Sequence, residues 1–305
     1  MKHTNSHRSV AAAAVACLLA AFAPSLFSQE NSPPVVAEVT ASEGSGAAAP
    51  AASTTGDTGA YNQPEWVKHR RFSTTRVHIQ RDPWEMALEQ WWRGRLNDGE
   101  WKHKFQEEFE IGLPGRVQLD LYEDWEIEDG DAFHNDFALE IRYGLADWGV
   151  LPLNPALYFE YKWVDPDHGG DVIEPKLLLG DEFGDGWSYG LNLVYEREMG
   201  GESTEEFQVT QGISKAMADG RVALGLEGKY VHETVAGARD DAEHKVQFGP
   251  SVQFRPFDNA HLDLVALAGL THDSPDLEAW VVFGWDFGAG AGGPKKVHAP
   301  ISGRR

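Results

Sequence analysis

Between Trp84 and Phe287 the chain alternates large apolar and polar residues, in runs separated by turn clusters. The clearest run is Trp101–Ile111. Trp101, His103, Phe105, Phe109 and Ile111 fall on one face, and Lys102, Lys104, Gln106, Glu108 and Glu110 on the other. A period of two is the signature of a strand whose two faces meet different surroundings. Leu113-Pro114-Gly115 then makes a tight turn, and Val117, Leu119 and Leu121 restart the apolar face opposite Gln118, Asp120 and Tyr122. The same rhythm recurs at Phe137–Leu145, Leu157–Trp163, Ile173–Leu179, Trp187–Tyr195, Phe207–Ile213, Val222–Tyr230, Val246–Phe254, Leu262–Leu270 and Leu277–Phe287. Counting Trp84–Trp92 as the first run gives 12.

These runs mostly meet the roughly 9–11 residues that a tilted strand needs to cross a bilayer, whereas soluble strands average about 5–6. An even number of such strands predicts an all-β fold: a transmembrane antiparallel up-and-down β-barrel of about 12 strands. Glu107 and Gln211 interrupt the apolar faces. The expectation is that they sit near the membrane interfaces, where polar groups cost less.

With both ends of the body on the periplasmic side, alternate connectors become periplasmic turns. These are Leu113–Arg116, Ala146–Asn154, Asp181–Gly186, Lys215–Gly220 and Pro256–Asn259. The others face outward and should be longer, Glu126–Asn135 and Glu233–Glu243 most clearly; Ala146–Asn154 breaks the rule. Aromatic rings collect at the predicted strand ends: Trp84, Trp187, Trp285 and Phe287 on the periplasmic side, and Trp92, Trp101, Trp163 and Tyr195 on the outer side. Two girdles of amphipathic rings are what the membrane interfaces favour.

The flanks read differently. Residues 1–28 have a basic start (Lys2, His3, Arg8), an apolar run Val10–Ala23 and small residues near Ser28, the pattern of a secretory signal. Residues 29–64 are rich in Ala, Gly, Ser, Thr and Pro, which predicts a disordered linker. Residues 288–305 predict a flexible tail, leaving 65–287 as the barrel. Cys17 is the only cysteine and lies in the signal, so a mature chain would hold no disulfide or thiolate site. The formal charge of -22 excludes nucleic acid as a partner, since that needs clustered Lys and Arg.

The C-terminal run LEAWVVFGWDF (Leu277–Phe287) resembles the terminal signal of bacterial outer-membrane barrels, although there the final Phe ends the chain. EFEIGLPGRVQLDLY (Glu108–Tyr122) and LEIRYGLADWGVLPLNPALYFEYKW (Leu139–Trp163) are similar to porin-like transporters of the phenol-degradation (MetA-pathway) type. The resemblance implies residence in the outer membrane, with lipid, the barrel-assembly machinery and small solutes as partners. It implies a porin-like role, and no cofactor.

Alternation places charge on the predicted lumen face: Lys102, Lys104, Glu108, Glu110, Asp120, Asp124, Glu140, Arg142, Glu160, Lys162, Glu174, Lys176, Glu196, Glu227 and Lys229. Buried charges must pair or face water. Eight strands leave a lumen filled by side chains and 16–18 leave an aqueous channel. Twelve allows either a narrow pore, which the acidic excess would make cation-preferring, or a salt-bridged interior. Passive or facilitated passage of small solutes is the leading expectation. A structural or adhesive barrel without a pore is the alternative, and a hydrolase built on Ser203 and His232 a weaker one. His134, His168, His232, His244 and His272 lie in or beside predicted outer loops, without the fixed spacing of a metal site.

Overall fold

In the computed structural model the described residues are 58–69, 72–128 and 130–289. The expected signal, the expected linker as far as residue 57, and the tail beyond Ala289 lie outside them. One short helix, α1 (Glu65–Lys68), precedes twelve strands: β1 (Glu85–Asn97), β2 (Glu100–Leu113), β3 (Val117–Glu128), β4 (Asp131–Gly144), β5 (Ala156–Val164), β6 (Asp171–Phe183), β7 (Trp187–Met199), β8 (Glu205–Met217), β9 (Val222–Thr234), β10 (Glu243–Phe257), β11 (Ala260–Gly269) and β12 (Leu277–Gly288). Each strand pairs antiparallel with its neighbours in sequence, and β1 closes on β12 from Glu85↔Gly288 to Leu96↔Leu277. Full closure leaves no sheet edge, the condition for crossing a bilayer with strands.

The pleat turns this closed sheet inside out relative to a soluble protein. Leu121, Leu139, Ile141, Leu157, Phe159, Leu193, Leu226, Leu264 and Phe283 point outward and are exposed, while Glu110, Asp120, Glu140, Arg142 and Glu227 point inward and are buried. An apolar girdle of this extent, wrapped around a charged interior, matches hydrocarbon outside and polar partners inside.

The strands overrun the membrane, and this changes the connectors. β3 and β4 pair as far as Glu128↔Asp131, so most of the segment expected as a long outer loop, Glu126–Asn135, is strand ladder instead. The longest link at the end carrying the barrel's termini runs from 145 to 155. Its length has a packing reason. Trp148 donates its backbone N–H to the Tyr61 carbonyl (2.8 Å), and its ring meets Trp66 edge-on at 5.6 Å.

The residues before β1 are the main departure from expectation. Residues 58–69 and 72–84 are neither linker nor barrel wall but a segment folded inside the barrel, with Gln63, Trp66, Val67, Phe72, Val77, His78, Ile79, Gln80 and Arg81 buried. Wall glycines make room for it. A Cβ on Gly212 would lie 2.4 Å from Phe72 Cδ1, and one on Gly180 2.4 Å from Val77 Cγ1.

Candidate functional site: a plugged lumen beneath an outer vestibule

The internal segment is tied to the wall around its circumference. Arg81 has no exposed side-chain surface and is the strongest tie. Its Nε donates to Glu110 of β2 at 2.5 Å, its Nη1 to Asp286 of β12 at 2.5 Å, and its Nη2 lies 3.7 Å from Glu89 of β1. Gln118 of β3 accepts the Gln80 and Arg81 backbone N–H groups at 2.8 and 3.1 Å. Asn192 of β7 clamps Arg76 in both directions, accepting from its N–H at 2.8 Å and donating to its carbonyl at 2.7 Å. Glu227 of β9 accepts from the Thr74 N–H at 2.8 Å and hydroxyl at 2.6 Å. Gln253 of β10 donates to the His69 carbonyl at 2.6 Å, and Trp66 donates to Glu182 of β6 at 3.1 Å. Irregular backbone is tolerated at membrane depth only where its polar groups find partners of this kind.

These contacts divide the lumen-face charges into two groups. Glu108, Glu110, Asp120, Glu140, Arg142 and Glu227 are buried against the segment or one another. Arg142 reaches Asp120 at 2.6 Å and also bonds Glu140 and Gln80. Two carboxylate triplets in this group, Glu89–Glu108–Glu110 and Glu108–Asp120–Glu140, have the spacing to hold a cation. The guanidinium groups of Arg76, Arg81 and Arg142 already meet them, which makes ion pairing their evident role.

The second group lines open space. Above the segment a cavity of about 200 Å³ has Ser73, Thr74 and Arg76 at its floor and Trp91, Trp280, Tyr122 and Tyr158 in its walls. It continues into a cavity of about 540 Å³ that opens between the loops opposite the barrel's termini; Arg93, Lys104, Lys162, Glu174 and Lys229 line both. Of the sequence-derived positions, Lys104, Glu160, Lys162, Glu174, Lys176, Glu196 and Lys229 face this vestibule, as does Asp124. Lys102 is exposed further out, near the far end of β2 opposite Arg95. The combined lining carries ten carboxylates and eight cations, an excess of two negative charges.

Alternation could not reveal Arg76 and Arg81 as members of the site, because the segment has no strand period. Composition carries a signal instead: between Glu65 and Trp84 stand Lys68, Arg70, Arg71, Arg76 and Arg81 against only Glu65 and Asp82. A basic stretch in an acidic chain matches the carboxylates it meets.

The interface aromatics take outward positions. Trp84, Trp187 and Trp285 are exposed at the termini end, with Phe287 half-buried beside them. Towards the far end Trp101 and Trp163 are exposed, and Trp92 stacks on His103, which also stacks on Trp101. Trp125, exposed on β3, joins them without having been singled out in the sequence. An inverted barrel with an apolar belt between two rows of rings is built for one environment. The chain is an outer-membrane β-barrel.

Comparison with known proteins returns the same fold. The family model described as "Putative MetA-pathway of phenol degradation" matches residues 164–279. Among solved structures, an outer membrane channel from Pseudomonas putida F1 superposes with a TM-score of 0.50 at 10% identity, over 69% of this chain and 98% of that one. The KdgM porin gives 0.45 at 10% identity, over 65% and 99%, and the NanC porin 0.46 at 7%, over 67% and 99%. At 10% identity the likeness to the Pseudomonas putida channel is one of fold. None of the curated proteins matches the sequence.

The loop histidines do not assemble into a cluster. His168 stacks on Phe133 at 4.1 Å, His134 meets Trp125 at 5.2 Å, and His232 meets His244 at 5.1 Å. The Ser203 hydroxyl donates to the Gly200 carbonyl at 3.0 Å.

Proposed function

We propose that the barrel is a porin-like channel for small solutes, entered from the outer vestibule, with a preference for cations. The observation that carries this is the vestibule itself: charge-lined cavities of about 200 and 540 Å³ between the loops, with ten carboxylates against eight cations on their walls. A low-dielectric wall strengthens the field of an unbalanced charge inside it. The segment 58–84 occupies the lumen below, so onward passage requires it to yield. Its ties are polar side chains and backbone groups, which water can replace once they part.

The filled lumen also supports the competing reading, a structural barrel with no open pore. Planar-bilayer recordings under a salt gradient separate the two. A channel gives discrete steps and a reversal potential of the sign expected for cations. A correctly folded barrel that stays silent, both as the full chain and after Arg81→Met, is structural.

A further inference from the structure

Charge departs from the general plan in two places. On the outer face Glu107 is exposed at the middle of β2, beside Gln90 of β1 and Glu123 of β3, so the expectation that it sits near an interface fails. Inside the vestibule the departure is a reversal of sign with depth. The outer cavity carries eight carboxylates against six cations, whereas the inner one carries six cations against only Asp124, Glu160 and Glu174. Each of these three carboxylates already holds a lysine: Asp124 meets Lys104 at 2.6 Å, Glu160 meets Lys162 at 3.3 Å, and Glu174 meets Lys176. The surplus lies on the opposite wall. There Arg93, Arg95 and Lys229 converge on the single carboxylate of Glu278, at 3.9, 2.8 and 3.0 Å. Within ion-pairing distance of one another, these four groups carry an excess of two positive charges. Glu278 is buried, but the side chains of Arg93 and Arg95 are 30% and 42% exposed. Among the described residues Arg93 makes no hydrogen bond, and its long approach to Glu278 is its one ion pair. Its donors are open to the cavity.

Two rings lie against these cations. Lys229 Nζ stands 5.7 Å from the centre of the Trp280 ring, and the Arg76 guanidinium 5.2 Å from that of Trp91. Both tryptophans line the inner cavity, and they pack with Val265, Leu267 and Val282 into an apolar cluster on the inward face. Apolar surface beside open cations suits a ligand with an apolar body and an anionic group. The size fits one ring: an apolar cavity of about 150 Å³ accepts benzene, and the inner cavity has about 200 Å³.

We propose that the junction of the two cavities is a binding site for a small monocarboxylate carrying one apolar ring. Arg93, Arg95 and Lys229 hold the carboxylate, and Trp91 and Trp280 face the ring. A planar carboxylate matches the fork of a guanidinium, which favours it over a spherical anion. The vestibule as a whole keeps an excess of two negative charges, which penalises a dicarboxylate or a phosphate ester more than a single charge. The site deepens the channel reading by naming a class of solute. It rests on the vestibule as the entrance and not on the cation preference of its mouth.

Titration calorimetry on the folded full chain in mild detergent tests the site with four probes. Benzoate should bind roughly tenfold or more tightly than benzamide, which keeps the ring without the charge, and than benzylamine, which reverses it. Acetate, a carboxylate without a ring, should also bind more weakly than benzoate. Arg93→Gln/Lys229→Gln leaves Glu278 its hydrogen bond from Arg95 and should weaken benzoate by roughly tenfold or more. Lys215→Gln/Arg221→Gln removes the same charge from exposed pairs at the termini end and should leave the affinity unchanged. Trp280→Leu should bring benzoate down towards acetate. Heat-shifted mobility on a gel checks that each variant is folded, and the four-probe series on the unmodified chain stands without any variant. Benzamide binding as tightly as benzoate, an unchanged benzoate affinity in Arg93→Gln/Lys229→Gln, or no heat from benzoate at millimolar concentration would each overturn the proposal. Calorimetry needs no passage through the lumen. Silent bilayers together with the expected binding pattern would therefore sink the channel reading and leave the site.

Discussion

Replacing Arg81 with Met keeps an unbranched apolar stem and removes the guanidinium, leaving Glu110, Asp286 and Glu89 around an apolar group. All four side chains are at most 3% exposed, so water does not screen the loss. Removing one partner of a buried ion pair costs about 3–5 kcal/mol, because the remaining charge is left uncompensated. At about 1.4 kcal/mol per tenfold, the seated state of segment 58–84 loses roughly 10²- to 10³-fold against unseated states. The assay is hydrogen exchange read by mass spectrometry on peptides covering 72–82. The Arg76, Gln80 and Arg81 amides are held by Asn192 and Gln118 and exchange only when the segment parts from the wall. Their exchange should accelerate by roughly that factor, while peptides from β6 to β9 keep their wild-type protection. Unchanged protection at 72–82 would refute the reasoning, as would equal loosening of the whole barrel.

Other perturbations follow from the same contacts. Gly212→Val places a Cβ 2.4 Å from Phe72; overpacking of this kind costs about 1–3 kcal/mol, and limited proteolysis should cut within 58–84 sooner while the barrel keeps its heat-shifted mobility. Trp148→Ala removes the edge-on contact with Trp66, worth about 0.5–1.5 kcal/mol beyond burial, and should loosen the segment in the same assay without altering strand content by circular dichroism. Glu206→Gln/Glu233→Gln neutralises a like-charged pair facing each other across β8 and β9 and leaves eight carboxylates against eight cations. The reversal potential under a salt gradient should then move toward zero.

The wall was legible in the sequence because a membrane imposes one rule on every strand. Lipid outside and polar groups inside make the period of two plain, as in Trp101–Ile111, and closure makes the count even. Connector lengths were less legible. Strands such as β3 and β4 continue pairing beyond the belt, so the segment Glu126–Asn135 reads as loop by composition yet folds as ladder. The interior was the least legible part. Residues 65–84 lack periodicity because each is placed by a separate partner on a different strand, a pattern with no sequence period. Its trace lies elsewhere: Gly180, Gly190 and Gly212 pair across β6, β7 and β8 as a row of small residues beside Glu227 of β9, and Phe72 and Val77 fill the space they leave. The charged lumen positions therefore have two destinations that alternation alone does not separate, the wetted vestibule for Lys162 and Glu196 and the dry contact with the segment for Glu110 and Arg142.

The central claim is a twelve-stranded outer-membrane channel whose lumen is narrowed by its own N-terminal segment. Single-channel recording compares the full chain with a chain lacking residues 58–81, both verified as folded by heat-shifted mobility. The account predicts small discrete steps from the full chain and much larger ones from the deletion, since a vacated twelve-stranded lumen conducts. Equal conductance in the two, or silence in both, would contradict it.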